Sequence, residues 1–358
     1  MLRAGLIGLP SAGKTTLFQL LTSAREAQRS SGRSEAHVGV SRVPDDRLDR
    51  LTALFQPKKK VPATVELADM AAGGRTAALL DVAAFRHADA LLHVIRAFRD
   101  PAVAHPRGAV NPSRDARSIE DELILADLGV VERRLDRLAK DLKKAPTPEL
   151  KKERDLLAAA RAWLAGGRAL RTMGRTGDDA RRLRGFQFLS AKPLLLVVNL
   201  DEREARRAEA ALPDETLAGF LEDTAARAVG VCARIELEIS RLDTADAAVF
   251  MRDLGLTQSG LDRVIRAAYD LLGYLSFFTV GDNECRAWSI PRGTPAQAAA
   301  GAIHTDLERG FIRAEVVPWD RLVARGSLAA CRDHGELRLE GKDYPVADGD
   351  VVTIRHAT

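Results

Sequence analysis

A short glycine loop near the start of the chain constrains its fold more than any other feature. The segment "GLPSAGKT", Gly8 to Thr15, fits the GxxxxGK[ST] pattern and lies between a short apolar strand and an amphipathic helix pattern. In such loops backbone N–H groups surround a β-phosphate. The lysine, here Lys14, reaches the β and γ oxygens, and the hydroxyl of Thr15 holds Mg²⁺. This context predicts a nucleotide site rather than a chance turn.

Apolar strand patterns then alternate with helical patterns along the chain. The strand candidates after the loop are 61–69, 88–95, 192–200 and, more weakly, 227–235. The run "KPLLLVVNL" is continuously apolar, as in strands that a parallel sheet buries on both faces. The alternation predicts a doubly wound α/β domain that binds ligands at the carboxyl ends of its strands.

Two polar residues close predicted strands. Asp69 ends "VELAD", where P-loop proteins place a magnesium-side aspartate, although a helix cap or plain loop is the alternative. Asn199 ends "LLLVVN", where GTPases carry NKxD, but the residues here are Asn199-Leu-Asp-Glu202. There is no lysine to stack on the base, and Asp201 comes one residue too early to pair with guanine. Guanine specificity should therefore be weak or lost. Asn199 could instead cap the next helix.

The predicted nucleotide domain is interrupted by a helical insertion. From about Asp121 the pattern is helical, "APTP" breaks it, and a second helix is predicted over 149–165. The first helix carries a heptad seam, which indicates packing within an antiparallel hairpin more than a dimer contact. Its members are Leu128, Val131, Leu135, Leu138 and Leu142. A monomer is therefore expected.

Charge is concentrated in this insertion. Residues 131–186 contain 16 Lys plus Arg against 8 Asp plus Glu, or +8, so the total of +4 leaves −4 elsewhere. A basic helical segment suggests a polyanionic partner such as RNA, although an arginine-rich solvated surface explains the count equally well. After about Leu272 short β-rich pieces surround one helix, which predicts a small α+β domain. The predicted domains are 1–120 with 190–272, then 121–189, then 273–358.

Composition excludes several classes of protein. The three cysteines are far apart and form no CxxC pair, which argues against a disulfide framework or zinc site and for reduced thiols in the cytoplasm. The histidines show no metal-binding spacing. No apolar run reaches the roughly 18 residues that a membrane helix needs, and the first residues do not resemble a signal peptide.

Together these segments resemble the Obg-like ATPase family, also called YchF. The resemblance covers nearly the whole chain and is most specific near its end. It rests on "GLIGLPSAGKTTLFQLLT", "NLDE", "CARIELEI", "LGLTQSGLDRVIRAAYDLLGYLSFFTVG", "ECRAWSIPRGTPAQAAAGAIHTDLERGFIRAEVV" and "LRLEGKDYPVADGDVVTI". It implies a P-loop NTPase fold with the hairpin as the helical domain and a C-terminal TGS domain of β-grasp fold. It also implies a cytoplasmic, Mg²⁺-dependent enzyme that prefers ATP and associates with ribosomal RNA or a ribosomal subunit, without DNA specificity.

The resemblance also implies a set of site residues. Lys14 and Asp69 would be catalytic, and Thr15 and Asp69 would hold Mg²⁺. The nucleotide-binding residues would be Ser11, Ala12, Gly13, Lys14, Thr15 and Thr16 in the loop, Asn199, Leu200 and Glu202 at the base, and Cys232 and Ala233 behind it. A single thiol after a strand is, on its own, more typical of a buried structural cysteine.

The chain departs from the family pattern in both switch regions. Arg33, followed by Ser34, stands where the family has a threonine that completes the Mg²⁺ shell. Ala72 replaces the glycine of DxxG, and Gly73 comes one place late. Nucleotide binding needs only the loop, whereas turnover depends on these regions. A slow ATPase switch is therefore the expected function, with a non-hydrolysing ribosome- or RNA-binding adaptor and a GTPase as alternatives.

Overall fold

A computed structural model describes residues 3–22, 37–69, 82–175, 177–208 and 215–357. Its strands are β1 (Arg3–Ile7), β2 (His37–Arg42), β3 (Lys59–Val61), β4 (Thr64–Asp69), β5 (Ala90–Arg96), β6 (Leu194–Asn199), β7 (Arg227–Val231), β8 (Tyr274–Thr279), β9 (Glu284–Pro291), β10 (Phe311–Pro318), β11 (Arg338–Glu340) and β12 (Asp350–His356).

The helices in the same ranges are α1 (Lys14–Leu21), α2 (Asp46–Phe55), α3 (Pro112–Lys144), α4 (Pro148–Ala165), α5 (Gly177–Arg184), α6 (Glu215–Thr224), α7 (Ala233–Ile239), α8 (Thr244–Asp253), α9 (Gly260–Leu271), α10 (Ala296–Ile303), α11 (Thr305–Arg309), α12 (Trp319–Arg325) and α13 (Leu328–Asp333). Short 3₁₀ turns span Val82–His87, Leu170–Thr172 and Glu202–Ala208. No helix in these ranges is both long and apolar enough to cross a bilayer.

The first sheet has the strand order β2-β4-β1-β5-β6-β7. β1 pairs in parallel with β4 on one side and β5 on the other, and β5, β6 and β7 continue in parallel. Strands β2 and β4 are thus added on one side of β1, and β5, β6 and β7 on the other. Ligands bind at the point where the order of strands switches in this way. All residues of β5 and β6 are buried, which the continuous apolar run predicted for β6. The predicted doubly wound α/β fold is confirmed.

The helical insertion between β5 and β6 is a hairpin of α3 and α4. Val131 and Leu138 of the predicted seam are fully buried in one cluster with Leu157, Ala160 and Leu164 of α4. The seam therefore packs within the chain. The first helix begins at Pro112, earlier than the predicted Asp121, because the Asn111 side chain accepts a hydrogen bond from the Arg114 N–H and Pro112 fits the first turn.

The strand predicted over 61–69 is two strands. Pro62 and Ala63 separate β3 from β4, because proline has no N–H for the ladder. β4 belongs to the first sheet and β3 to the second, whose order is β11-β10-β12-β8-β9-β3. This second sheet is mixed, with β12 parallel to β8 and the β8–β9 pair antiparallel. The C-terminal region is therefore α+β, as predicted.

The chain divides into two compact units. One comprises residues 1–40 and 66–268, and the other residues 41–65 and 269–358. The segment 41–65 groups with the C-terminal residues, whereas we predicted it within the first domain. In this division the helical hairpin belongs to the first unit. The three predicted domains and their boundaries remain predictions.

Candidate nucleotide site

The phosphate-binding loop connects β1 to α1 and needs glycine at two positions. Gly8 and Gly13 have φ of 147° and 96°, which L side chains rarely adopt. A Cβ on Gly8 would lie 2.3 Å from the Val94 carbonyl oxygen, and a Cβ on Gly13 would lie 2.4 Å from Nδ2 of Asn199. The loop therefore packs against two neighbouring strands, β5 and β6, and its path depends on both glycines.

Lys14 turns back over this loop. Its Nζ donates hydrogen bonds to the carbonyl oxygens of Gly8 and Leu9, each at 2.9 Å. Burial lowers the pKa of Lys14, and the negative charge of Asp69 opposes that shift. The ammonium group is thus partly removed from water and held by neutral carbonyls, so an anion at the loop would improve its environment.

Thr15 and Asp69 meet at the same end of the sheet. Oγ1 of Thr15 donates to Oδ2 of Asp69 at 3.3 Å, and Asp69 is 4% exposed. Mg²⁺ prefers oxygen ligands and is bound through one or two protein groups, with phosphates and water completing the octahedron. One hydroxyl beside one carboxylate fits such a site.

Asn199 connects the loop to the next strand end. Its Nδ2 donates to the carbonyl oxygen of Ala12, and its Oδ1 accepts from the N–H of Ala233, both at 3.1 Å. The residue is 4% exposed. The alternative interpretation was a cap on the helical turn that follows its own strand. Instead, the side chain fixes the carboxyl ends of β1, β6 and β7 to one another.

A cavity of about 270 Å³ opens beside this junction. It brings together these predicted nucleotide residues: Gly13, Thr16, Asn199, Leu200, Glu202, Cys232 and Ala233. Leu200 is only 4% exposed, since it also belongs to the core beneath the sheet. The remaining predicted residues, Ser11, Ala12, Lys14, Thr15 and Asp69, lie outside this lining, at or near the loop.

The opposite wall of the cavity comes from residues that the sequence interpretation missed. Phe98, Arg99, Asp100 and Val103 line it, and Arg96 holds this segment in place. The Arg96 guanidinium is buried and donates to the carbonyl oxygens of Phe98, Asp100 and Val103 at 3.2, 3.3 and 2.9 Å. The available signal was an arginine at the end of an otherwise mostly apolar strand.

Glu202 is paired before any ligand enters. Its Oε1 lies 2.6 Å from Nε of Arg234, the second residue of α7, and both side chains are partly exposed. Its neighbour Asp201 accepts a hydrogen bond from the Arg203 N–H at 3.2 Å. A base that approached either carboxylate would therefore compete with a donor already present, and the sequence alone did not indicate the Arg234 partner.

Comparisons with known proteins show the family to which the chain belongs. Residues 274–357 match a family model named YchF-GTPase_C and described as a protein of unknown function (DUF933). The chain is 38% identical to the ribosome-binding ATPase YchF of Bacillus subtilis (strain 168), over 99% of both chains. It is also 33% identical to Obg-like ATPase 1 of Oryza sativa subsp. japonica, over 99% of this chain and 92% of that one. The chain belongs to the YchF, or Obg-like ATPase, family.

Membership of the YchF family also agrees with the fold. The solved structure of the Schizosaccharomyces pombe YchF GTPase superimposes with a TM-score of 0.86 at 26% identity, covering 99% of this chain and 97% of that chain. The inferred resemblance and the P-loop fold are both confirmed. The residues at which this chain departs from the YchF switch patterns, Arg33, Ser34, Ala72 and Gly73, lie outside the described residues.

Cys232, the YchF-pattern cysteine, precedes α7 and is 5% exposed. Burial raises the pKa of its thiol, which keeps the sulfur protonated at neutral pH. The thiol therefore contributes to the cavity wall as a small apolar group.

Proposed function

We propose that this chain binds ATP with Mg²⁺ and hydrolyses it slowly, as a nucleotide switch that associates with the ribosome. One observation carries the proposal: Asn199 joins the phosphate-binding loop to a cavity in whose lining the carboxylates of Glu202 and Asp201 already contact neighbouring donors. Family membership supports nucleotide binding and hydrolysis in general. The proposed preference for ATP rests on the geometry of the cavity, and the proposed slow rate of hydrolysis rests on the altered switch residues.

Base preference follows from the state of Glu202 and Asp201. Guanine recognition in GTPases needs a carboxylate that accepts from both N1–H and N2–H. Here Glu202 is engaged by Arg234 and Asp201 by the Arg203 N–H. Adenine does not need a carboxylate that accepts two hydrogen bonds, so the affinity for ATP should be reduced less than the affinity for GTP. A site without that free carboxylate loses the contacts by which GTPases favour guanine, so discrimination in favour of GTP should be lost.

The phosphate end would supply the charge stabilisation. Lys14 would exchange its two carbonyl partners for β and γ oxygens, and Thr15 and Asp69 would hold the metal. Bound Mg²⁺ would neutralise charge on the phosphates. The chain offers the loop N–H groups and Lys14 for this purpose. A water held by main-chain groups would attack the γ-phosphorus in line as its bond to the β,γ-bridging oxygen breaks, releasing ADP and inorganic phosphate. Without the family's switch threonine and DxxG glycine, turnover should be slow.

Ribosome association is proposed from two supports. The bacterial relatives are named ribosome-binding ATPases. The insertion carries the excess of +8 in residues 131–186, which favours a polyanionic partner such as ribosomal RNA. The chain is proposed to act as a monomer, because the buried side chains of the heptad seam pack against the other helix of the hairpin.

The test is calorimetry with Mg²⁺-ATP and Mg²⁺-GTP, followed by measurement of phosphate release from the same samples with and without ribosomes. We expect ATP to bind at least about tenfold more tightly than GTP, which corresponds to roughly 1.4 kcal/mol. Slow release of phosphate should accompany binding. Equal or tighter GTP binding would replace the proposal with a GTPase.

Tight ATP binding with no phosphate release, even with ribosomes, would instead favour a nucleotide-dependent adaptor. The double variant Arg33→Thr/Ala72→Gly separates these outcomes, because it restores the family's switch residues. Increased turnover in the double variant would show that the remaining machinery is intact, and unchanged absence of turnover would support the adaptor.

A further inference from the structure

A second cavity lies at the amino end of the first sheet. Its volume is about 720 Å³, and its walls come from the start of β1, the segment before β5 and residues 173–193, which lead from the helical insertion into β6. The basic side chains in its lining are Arg3, Arg86, His87, Arg175, Arg184 and Lys192. Asp89 is the one acidic residue among the described residues that line it.

Two of these cations are partly buried against neutral partners. Nζ of Lys192 donates to the carbonyl oxygens of Arg86 and Ala88, the first at 2.8 Å. The Arg175 guanidinium donates to the carbonyl oxygens of Leu170 and Met173 at 2.7 and 3.3 Å. Within the described ranges neither forms a salt bridge. Burial lowers the pKa of both groups; for Lys192 the nearby carboxylates of Asp89 and Asp127 oppose that shift without forming a salt bridge.

The other cations differ in how far they are neutralised. Arg3 pairs with Glu66 at 2.7 Å, and Arg86 lies 4.0 Å from the buried Asp127. Arg184, in the last turn of α5, has no carboxylate within salt-bridge distance among the residues that the structure describes. Arg175 and Arg184 therefore present positive charge to the cavity without a salt bridge in the described part of the chain, and Lys192 is offset only through the longer-range charges of Asp89 and Asp127.

The environment of Lys192 repeats that of Lys14. Each lysine is partly desolvated, donates to two backbone carbonyls and has a lowered pKa. Lys14 belongs to a phosphate-binding loop. Burying a cation against carbonyls alone is costly, and an anionic ligand relieves that cost. Two further planar guanidinium groups nearby can each donate to two oxygens of a phosphate.

We propose that this cavity binds a small phosphorylated compound, at a site separate from the nucleotide loop. The sheet's parallel strands have five to seven residues in β1, β5 and β6. At about 3.3 Å per residue the two sites are roughly 20 Å apart. The volume lies in the range of small-molecule sites, and Met173, Leu183 and Phe188 add an apolar wall for the rest of the ligand.

A small ligand fits this cavity better than single-stranded RNA. Proteins that hold single-stranded RNA combine basic grooves with aromatic rings on which bases stack. Among the described lining residues the one aromatic ring, apart from His87, is Phe188, which is 3% exposed and stacks on Phe186 with ring centroids 5.2 Å apart. It is therefore not available as a platform for bases.

The test titrates inorganic pyrophosphate into the full-length chain by calorimetry. Lys14→Ala removes the principal cation of the nucleotide loop, so binding that persists in this variant belongs elsewhere. In that background Arg184→Glu should weaken pyrophosphate at least about tenfold, since it replaces a charge-assisted contact by repulsion. Arg184→Gln should weaken it less. Arg181→Glu, on the same helix but outside the lining, is the matched control and should change it less than about twofold.

The variants also test the alternatives. Thermal melting of each variant checks that it is folded, and Arg184→Gln serves if the reversed charge destabilises α5. Loss of all pyrophosphate binding in Lys14→Ala, or persistent binding that both Arg184 variants leave unchanged, would overturn the proposal. Binding of a short single-stranded RNA that depends on Arg184, without pyrophosphate binding, would also overturn it in favour of an RNA surface. None of these outcomes depends on whether the nucleotide loop hydrolyses ATP.

Discussion

Lys14 and Lys192 occupy opposite ends of one parallel sheet in closely similar surroundings. Both donate to two backbone carbonyls, and burial lowers the pKa of both. They differ in how they were recognised. Lys14 stands in a contiguous motif, whereas the cavity beside Lys192 is built from three separate segments. A motif reveals a site only when adjacent residues form it, and a site assembled by the fold leaves no comparable signature.

Removing Lys14 should have the largest effect. We expect Lys14→Ala to weaken Mg²⁺-ATP binding by at least about 100-fold, because each charge-assisted hydrogen bond to a phosphate contributes about 1.5–3 kcal/mol. Lys140→Ala, at an exposed lysine of α3, is the matched control and should bind ATP normally. Calorimetry measures both. If the Lys14→Ala variant bound ATP within about twofold of the original chain, the loop would not be what holds the phosphates.

The second prediction concerns the middle of the sheet, between the two ends. His93 of β5 is 1% exposed, and its pKa is lowered to about 3 by burial and then by the positive charges of Lys14 and Arg171. The unfolded chain binds this proton below about pH 6.5, whereas the folded chain does not. His93 therefore contributes stability that is fully present above about pH 6.5 and is lost as the pH falls toward 3.

Denaturant unfolding of the original chain and of His93→Gln at about pH 7.5 and pH 5 checks this sign. The original chain should lose about 2 kcal/mol more than the variant on acidification, at about 1.4 kcal/mol per pH unit below the unfolded pKa. Each chain is compared with itself at the two pH values, so the loss of packing in the variant cancels. The pH-dependent stability that comes from buried carboxyls such as Asp127, which has the opposite sign, is common to both chains and cancels too. Parallel pH curves for the two chains would contradict the prediction.

Asn199 should have a smaller effect, divided between stability and binding. Asn199→Ala leaves the Ala12 carbonyl and the Ala233 N–H without their partner, which costs about 1–3 kcal/mol of stability. ATP affinity should fall by about tenfold, because the loop is no longer tied to the base cavity. Thr147→Ala, which removes the cap of α4 and lies outside the cavity lining, should reduce stability with unchanged affinity. Equal affinity loss in both variants would contradict a local role for Asn199.

Arg234 should have the smallest effect. Arg234→Ala frees the carboxylate of Glu202 at the cavity, so GTP binding should improve relative to ATP by about two- to fivefold, in keeping with the modest value of an exposed ion pair. Arg241→Ala, at an exposed arginine just after α7, is the control. Competition binding with both nucleotides gives the ratio. An unchanged ratio would show that the ion pair does not influence base choice.

The sheet and hairpin could be predicted because their signals are local. β6 is apolar up to its last residue, Asn199, and is buried on both faces, and the heptad positions of α3 repeat with the helical period. The start of α3 was missed although Asn111 and Pro112 form an ordinary cap. The segment 61–69 was taken as one strand, although Pro62 divides it between two sheets. Both errors concern boundaries, where short-range signals compete.

Local signals were sufficient to identify the phosphate-binding loop, the alternation of strands and helices, and the family. Each depends on residues adjacent in the chain or repeated at a fixed period. Three further features came from the folded chain: Asn199 bridges Ala12 and Ala233, Arg234 holds Glu202, and several cations converge on the second cavity. Desolvation and charge pairing depend on distances in space, and folding brings together charges that lie far apart in the chain.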